Sequence, residues 1–203
     1  TTQCKVISPI ARRMWHATRP FHPRFITPMA AVAGSVADEI LMVMRTPASG
    51  LDRVLVNNGG AIALWVSSDD AIRVGVLAQD FFGAPDNSSA TVAIYRGDGI
   101  GGIASSGWRG RSHSLGVADV VSVLAADAAS ADAAATLIAN AVNVDAAGIT
   151  RVPAIELVPD SDLGRLAVTV AVEPLSADEI NAALAAGRVL AQRLVNDSMI
   201  IGV

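Results

Sequence analysis

Apolar residues recur along the chain at two spacings, which predict helices and strands in a fixed order. Residues 1–26 are rich in proline, arginine and aromatic residues, and Pro20 and Pro23 prevent a helix from continuing, so we predict an extended N-terminal arm. Thr27-Pro28 has the N-cap and first-turn proline that are typical of a helix start. Apolar residues at helical spacing follow and predict a helix, in which Gly34 allows the close approach of a sheet or a ligand.

Short β-rich segments separated by turn residues follow this helix. We predict strands at 53–57, 61–67, 72–77 and 91–95, and the adjacent turn residues favour antiparallel pairing. The polar loop at 79–90 contains Phe81-Phe82, which indicates either a mobile flap or a segment whose two rings pack.

The same order recurs in the second part of the chain. Strands are predicted at 102–105 and 117–125, and a helix follows at 130–143. Segments 152–158 and 166–172 predict a hairpin-like pair of strands.

The last predicted helix has the clearest start signal. Ser176 and Glu179 form a capping box, and the helix runs from about residue 177 to 195. We expect its apolar side to carry Ile180, Leu184, Val189, Leu190 and Leu194. Two rounds of a helix plus antiparallel strands predict an α+β fold, with related halves at about 27–97 and 98–203.

The composition excludes several classes of protein. The chain has 203 residues, of which 52% are hydrophobic and 17% charged, and this composition excludes disorder. Turn residues interrupt every long uncharged segment, so we expect no membrane-spanning helix. The net charge of −4 argues against a nucleic-acid partner, because such binding requires phosphate neutralisation.

Cysteine usage and apolar content extend these expectations to compartment and assembly. Cys4 is the single cysteine and cannot form an internal disulfide, so we expect a cytoplasmic protein. The apolar composition and the alanine-rich terminal helix predict homo-oligomerisation.

Two glycine-containing segments are candidates for binding an anion. Asn58-Gly59-Gly60 follows a predicted strand and presents backbone amides, although the pattern alone favours an ordinary hairpin turn. Ser105-Ser106-Gly107 supplies hydroxyl groups and accessible amides. Neither segment matches a phosphate loop or a dinucleotide-binding fingerprint.

Basic residues follow the second of these segments. Arg109 and Arg111 carry guanidinium groups that suit phosphate or carboxylate, and we predict that one of them neutralises developing charge in a reaction. His113 lies in the same loop and is a candidate general base, with a purely structural loop histidine as the alternative.

Asp132 and Thr136 are the best candidate pair of metal ligands. They are four residues apart, so they share one face of the predicted helix near its start. Carboxylate and hydroxyl oxygens suit Mg²⁺. An aspartate stabilised by the helix dipole and a buried threonine explain the same pattern equally well.

The order of these segments resembles that of the flavin transferase (ApbE) superfamily. The matching segments are the glycine turn at 58–60, Ala-Ser-Ser-Gly at 104–107, the His113 loop and the DAxxT helix at 132–136. The resemblance is closest to an uncharacterised ApbE-like group, through residues 25–34 and 106–112, and covers residues 22–145. Members of that group have further N-terminal sequence, so we expect part of the first half to be missing here or supplied separately.

The resemblance implies a fold, a ligand and an activity. It implies two related halves with a ligand cleft between them, and FAD or FMN, or another phosphate-bearing ligand, bound with Mg²⁺. Asp132 and Thr136 would be the metal ligands, and Asn58, Gly59, Gly60, Ser105, Ser106 and Gly107 would line the nucleotide site. The activity implied is transfer of FMN to a threonine of a protein acceptor.

Departures from the transferase pattern keep an alternative open. Ala61 follows the glycine turn where the transferases carry aspartate, and the His113 loop lacks their proline-threonine element. The alternative is a non-catalytic accessory or scaffold protein of the same fold, in sulfur or cofactor metabolism. A cleft filled by Trp108 and Phe81 would favour it. A third interpretation is an enzyme that holds a small carboxylic acid on Arg109 and Arg111.

Overall fold

The computed structural model describes residues 7–45, 50–67, 69–76 and 90–203. The helices are α1 (Pro9–Thr18), α2 (Val32–Met44), α3 (Ala128–Ala141), α4 (Ala154–Leu157) and α5 (Ala177–Asn196), with 3₁₀ turns at Arg19–Phe21 and Pro28–Ala31. The strands are β1 (Arg53–Asn58), β2 (Ala61–Val66), β3 (Ile72–Val76), β4 (Ala90–Ile94), β5 (Gly102–Ser106), β6 (Val121–Ala125), β7 (Ile149–Pro153) and β8 (Ala167–Val172). Cys4 and the predicted 79–90 loop, apart from Ala90, lie outside the described residues.

Every strand pairing in the described parts of the chain is antiparallel. One sheet has four strands in the order β1-β2-β5-β6, and β3-β4 and β7-β8 form two further two-stranded sheets. The predicted α+β class and the antiparallel pairing of its strands are therefore confirmed. The β7-β8 pair has a register shift between Thr150 and Arg151.

Helix α3 lies at the centre of the packing. It contacts β2, β5 and β6 as well as α1, α2 and α5. Small side chains allow these neighbours to approach, and the fully buried ones are Ala128, Ala131, Ala133, Ala134, Ala135 and Ala139. The alanines of this segment are therefore required for packing, because they let β2, β5 and β6 lie close against α3.

The prediction of an extended N-terminal arm is wrong over much of its length. Residues 9–18 form α1, because Pro9 occupies the first turn, where proline is compatible with a helix. The helix buries Ala17 and Thr18, and the 3₁₀ turn after it buries Phe21. Proline does end the helix, as predicted, since α1 stops at Thr18.

The second predicted helix begins later than expected. Thr27 does not cap it, because its hydroxyl donates to Asp162, and a 3₁₀ turn precedes α2. Gly34 does permit close approach, but to a helix and not to a sheet or ligand. A Cβ built on Gly34 would lie 2.2 Å from the carbonyl oxygen of Ala128.

Two predicted strands are shorter than their apolar patterns. In the predicted strand 117–125, only Val121–Ala125 form β6. The backbone before it makes hydrogen bonds outside the sheet: Val117 N–H donates to Val142 O at 2.8 Å, and Trp108 N–H donates to Ala118 O at 3.0 Å. In the predicted strand 152–158, β7 ends at Pro153 and the helical turn α4 follows.

The predicted start of the terminal helix is confirmed, whereas its predicted apolar side is partly wrong. The capping box between Ser176 and Glu179 is formed. Ile180, Leu184 and Val189 are exposed by 44%, 55% and 65%, so they do not belong to the core face as predicted. The buried positions are Ala183, Gly187, Leu190, Ala191 and Leu194. Among the described residues, no helix combines the length and apolar character needed to cross a bilayer.

Candidate functional site

Most of the predicted site residues line one cavity of about 690 Å³, which we call the polar pocket. The tip of the β1-β2 hairpin, strands β3 and β5, the loop after β5 and helix α3 all contribute to it. The predicted residues among its lining are Gly59, Gly60, Ser105, Ser106, Gly107, Arg109, Arg111 and Asp132. Asn58, His113 and Thr136 do not line it.

The glycine turn is a two-residue β-hairpin loop. Asn58 pairs with Ala61, and Gly59 and Gly60 between them have φ values of +66° and +102°. A tight hairpin of this kind requires positive φ at both loop positions, which glycine adopts without strain. The hairpin interpretation is therefore correct, and the same turn also forms one rim of the polar pocket.

Asn58 links this hairpin to the first turn of α2. Its Nδ2 donates to the carbonyl oxygen of Ala33 at 3.1 Å. The N–H of the same peptide group, on Gly34, donates to Asp132 Oδ2 at 3.0 Å. Asn58 and Asp132 therefore hold opposite ends of one peptide group, and Asn58 supports the site from behind the lining.

Asp132 is the carboxylate that α3 presents to the polar pocket. Burial raises its pKa to about 6, and hydrogen bonds from the backbone of Gly34 and Ala33 offset part of that rise. Charge repulsion from Asp38 adds to the rise in pKa. Gly34 donates to Oδ2, and the carboxylate lines the polar pocket, where it can meet a ligand or a cation.

The first turn of this helix has no free amides for an external anion at Ala128, Ala129 or Ser130. Helix α3 begins at Ala128, so Asp132 lies in its second turn. Asp38 accepts from the N–H groups of Ala128 and Ala129 at 3.0 and 2.9 Å, and Asp127 accepts from Ser130 at 2.7 Å. Two carboxylates of the chain itself therefore occupy the amides that an external anion would use.

Arg109 and Arg111 differ in what they contact. Arg109 donates to Asp119 Oδ1 at 2.6 Å and lies over the Trp108 ring, 4.5 Å from its centroid. Trp108 Nε1 donates to the same carboxylate oxygen at 3.2 Å. Arg111 has no hydrogen-bond or ion-pair partner among the described residues, and its Nη1 lies 3.8 Å from a Cβ built on Gly59. Arg111 is thus the available cation at the hairpin rim.

The serine segment forms the end of β5. Ser105 Oγ lies 2.7 Å from Ser122 Oγ on β6, within hydrogen-bonding distance. Ser106 has no hydroxyl partner within the described part of the chain, so its hydroxyl is available to a ligand. Close packing requires glycine at position 107, since a Cβ there would lie 2.1 Å from Asp119 O.

The remaining two candidates lie beside the lining. His113 is half-buried two residues beyond Arg111, and Ser114 after it is buried and donates to Asn140 Oδ1 at 3.1 Å. Thr136 lies one turn after Asp132 on α3 and is half-buried. Their assigned roles as general base and metal ligand therefore stay predictions.

Sequence reasoning missed the residues that hold the site together. The Asp38 carboxylate holds the start of α3, the carbonyl oxygen of Ala33 accepts from Asn58, and Asp119 pairs with the predicted Arg109. Asp119 follows Arg109 by ten residues, and this spacing is only a weak indication in the sequence that the two side chains pair. The contacts of Asp38 with α3 span 90 and 91 residues, and no local pattern encodes them.

The donor set of the polar pocket limits which metal it suits. The described residues contain no group of three or more His, Cys, Asp or Glu side chains that could hold a metal ion. Asp132 supplies an oxygen, whereas Asp119 is engaged by Arg109 and Trp108. One carboxylate fits Mg²⁺, which keeps several waters and is commonly held by one or two carboxylates plus substrate phosphates.

The fold and the pocket define an α+β protein with a polar site between a glycine hairpin and a buried alanine-rich helix. The chain belongs to the family described as AbpE bacteria, whose family model matches residues 1–203.

Archaeal relatives share a large part of the chain. The UPF0280 protein of Methanothrix thermoacetophila is 41% identical over 126 residues, 62% of this chain and 48% of that protein. The UPF0280 protein of Methanothermobacter thermautotrophicus is 37% identical over 125 residues, 61% of this chain and 44% of that protein. The UPF0280 protein of Methanopyrus kandleri is 34% identical over 125 residues, 61% of this chain and 45% of that protein. The chain spans about half the length of the curated relatives it matches.

Proposed function

We propose that the polar pocket binds a phosphate-bearing ligand, with FAD or FMN as the first candidate and Mg²⁺ as a bridging cation. The observation that carries this proposal is that the Gly59-Gly60 turn, Arg111 and Asp132 line one cavity. Its volume of about 690 Å³ is typical of small-molecule sites. Apolar lining from Ile62 and Ile103 suits a planar ring, and the polar groups of the same lining suit phosphate.

The charges in the polar pocket explain why a cation is part of the proposal. Arg109 and Asp119 neutralise each other at 2.6 Å, which leaves Arg111 and Asp132 as the other charged residues of the lining. Above pH 6 Asp132 is mostly ionised and repels a phosphate group. Mg²⁺ between the carboxylate and the phosphate would turn this repulsion into attraction.

The residues of the polar pocket have distinct roles in this proposal. Asp132 would hold Mg²⁺, which when bound neutralises phosphate charge and polarises a phosphate oxygen. Arg111 binds a phosphate oxygen from the hairpin side, and Ser106 donates its hydroxyl. Arg109 is a positioning residue, because Asp119 and the Trp108 ring hold its guanidinium group.

The resemblance to the flavin transferase superfamily supports flavin as the ligand, and FMN transfer to an acceptor threonine is its catalytic extension. The alternative is an accessory protein that binds the ligand without transferring it. Two observations favour the accessory role: Ala61 lines the polar pocket where the transferases carry aspartate, and His113 does not line it. Incubation with FAD, Mg²⁺ and a threonine-containing acceptor distinguishes them, since transfer of FMN releases AMP.

Isothermal titration with FAD and FMN, with and without Mg²⁺, tests the binding proposal. At pH 7.5 we expect Mg²⁺ to strengthen binding to the wild-type protein, and Asp132→Asn to remove that enhancement. At pH 5 protonation of Asp132 reduces the dependence on Mg²⁺ in the wild-type protein. The same Mg²⁺ enhancement in Asp132→Asn as in wild type would contradict the assignment, and absence of binding in every condition would contradict the proposal.

A further inference from the structure

A second cavity of about 360 Å³, lined by Trp108, lies next to the polar pocket, and we call it the apolar hollow. Its walls come from the loop before β6, the end of β8 and the first turns of α5. Val142, Ala183 and Leu175 form part of its apolar lining, and the exposed side chains of Ile180 and Leu184 stand at its edge. Concave, mostly apolar cavities of this size accommodate small molecules.

The apolar hollow adjoins the polar pocket without belonging to it. Arg109 and Asp119 line both cavities, so the ion pair between them forms a shared wall. The Trp108 side chain lies on the apolar side of this wall and donates its indole N–H to Asp119. A shift of the indole N–H signal that depends on Glu173 therefore reports on occupancy of the apolar hollow, because Glu173 lines only that cavity of the two.

The charges around the apolar hollow do not cancel. Arg109 and Asp119 are paired, which leaves the carboxylate of Glu173. The Glu173 side chain has no hydrogen-bond or ion-pair partner among the described residues, and its Oε2 lies 3.6 Å from a Cβ built on Gly148. Glu173 is exposed, so its carboxylate lies at the solvent edge of the apolar hollow. An apolar cavity with one unpaired carboxylate at its edge is complementary to a molecule with an apolar body and one positive charge.

We propose that the apolar hollow is a second ligand site, which takes a small molecule that combines an apolar body with a single amine. The lining supplies the apolar contact and Glu173 supplies the charge. The proposal does not rest on the ligand proposed for the polar pocket, because the apolar hollow contains neither the glycine turn nor Asp132 and shares only Arg109 and Asp119 with that pocket.

Three probes of similar size and different charge test the proposal on the full chain. They are 2-phenylethylamine, 2-phenylethanol and 3-phenylpropionate, each titrated while the Trp108 indole N–H signal is followed by NMR. The signal is assigned by its loss in Trp108→Phe. We expect the amine to bind roughly two- to fivefold more tightly than the alcohol, the range for an exposed ion pair, and the carboxylate to bind most weakly.

Variants at the carboxylate separate charge recognition from apolar contact. In Glu173→Gln the amine and the alcohol should bind equally, and in Glu173→Lys the carboxylate should bind most tightly. Glu156→Gln removes an exposed carboxylate outside the apolar hollow and should keep the wild-type ranking. The proposal is overturned if no probe shifts the Trp108 signal at millimolar concentration, or if Glu173→Gln keeps the preference for the amine.

Discussion

Asp38 of α2 and Asp132 of α3 each accept backbone N–H groups from the other's helix. Asp38 accepts from Ala128 and Ala129, and Asp132 accepts from Gly34 at 3.0 Å. Contacts between residues 34 and 132 and between 38 and 128 mean that the two helices run antiparallel. Each carboxylate therefore satisfies amides in the first turn of the opposite helix, and the site carboxylate is part of a structural junction.

Asp38→Ala should destabilise the protein by about 2–4 kcal/mol, because two buried amides lose their acceptor. Asp38→Asn should cost less, since its single amide oxygen still accepts from one of them. Asp127→Ala loses the conventional cap of the same helix and should cost about 1 kcal/mol. Urea unfolding of the three variants checks this order, and a larger loss in Asp127→Ala than in Asp38→Ala would contradict it.

Asp132 should make stability depend on pH in a defined direction. Burial raises its pKa from 3.8 to about 6, so the folded state binds the proton more tightly than the unfolded state. Stability is therefore lost as pH rises from about 4 to 6, and the cost of up to about 3 kcal/mol persists above pH 6. Asp132→Asn keeps an acceptor for Gly34 and removes this cost.

Urea unfolding at pH 4 and pH 7.5 measures the effect. The free energy of unfolding of Asp132→Asn minus that of the wild-type protein should be more positive at pH 7.5 than at pH 4. Asp145→Asn, which removes an exposed carboxyl group, is the control for a general change in net charge. An Asp132→Asn stability difference that is equal at both pH values would count against a buried, titrating Asp132.

Gly34→Ala should destabilise the protein by about 2 kcal/mol or more, even though alanine is the better helix former by roughly 1 kcal/mol. A Cβ at this position would lie 2.2 Å from Ala128 O and 2.7 Å from Ala129 N, so α2 and α3 would have to separate. Gly97→Ala, where no heavy atom lies within 4 Å, is the matched control. Thermal unfolding distinguishes the two, and equal melting temperatures would show that the helices yield without cost.

Local patterns predict much of the fold, since they depend on neighbours in sequence. The strands at 53–58 and 61–66 and the capping box at Ser176 follow from alternation and cap chemistry alone. Helix α1 was missed because prolines nearby outweighed a ten-residue helical segment. The exposed Ile180 and Leu184 show that an apolar residue at helical spacing need not face the core.

The candidate site was predictable only in part. The glycine turn and the serine segment have recognisable composition, and both line the polar pocket. The contacts that position Asp132 come from Gly34, 98 residues away, and depend on how two helices pack. Sequence periodicity does not report such contacts, so the true start of α3 and the pairing of Arg109 with Asp119 became evident only in the structure.

Arg111 and Arg109 should differ in their effect on ligand binding. Arg111→Ala removes the available cation of the polar pocket and should weaken binding of FAD or FMN by roughly tenfold, the range for a lost charged hydrogen bond. Arg109→Ala should weaken it less, because that charge is already paired with Asp119. Arg188→Ala is the control for an exposed arginine elsewhere. Isothermal titration gives the comparison, and a larger effect in Arg109→Ala would reverse the assignment.

Asn57 and Asn58 are adjacent but use opposite ends of their amide groups, so the same substitution should have opposite consequences. Asn58 donates to Ala33 O at 3.1 Å, and Asn58→Asp would place a carboxylate against that carbonyl and cost about 1–3 kcal/mol. Asn57 accepts from Gly60 N–H at 3.0 Å, and Asn57→Asp keeps the acceptor and should be nearly neutral. Urea unfolding at pH 7.5 compares them; equal losses would mean that the link from the hairpin to α2 contributes nothing, and that Asp132 alone holds the shared peptide group.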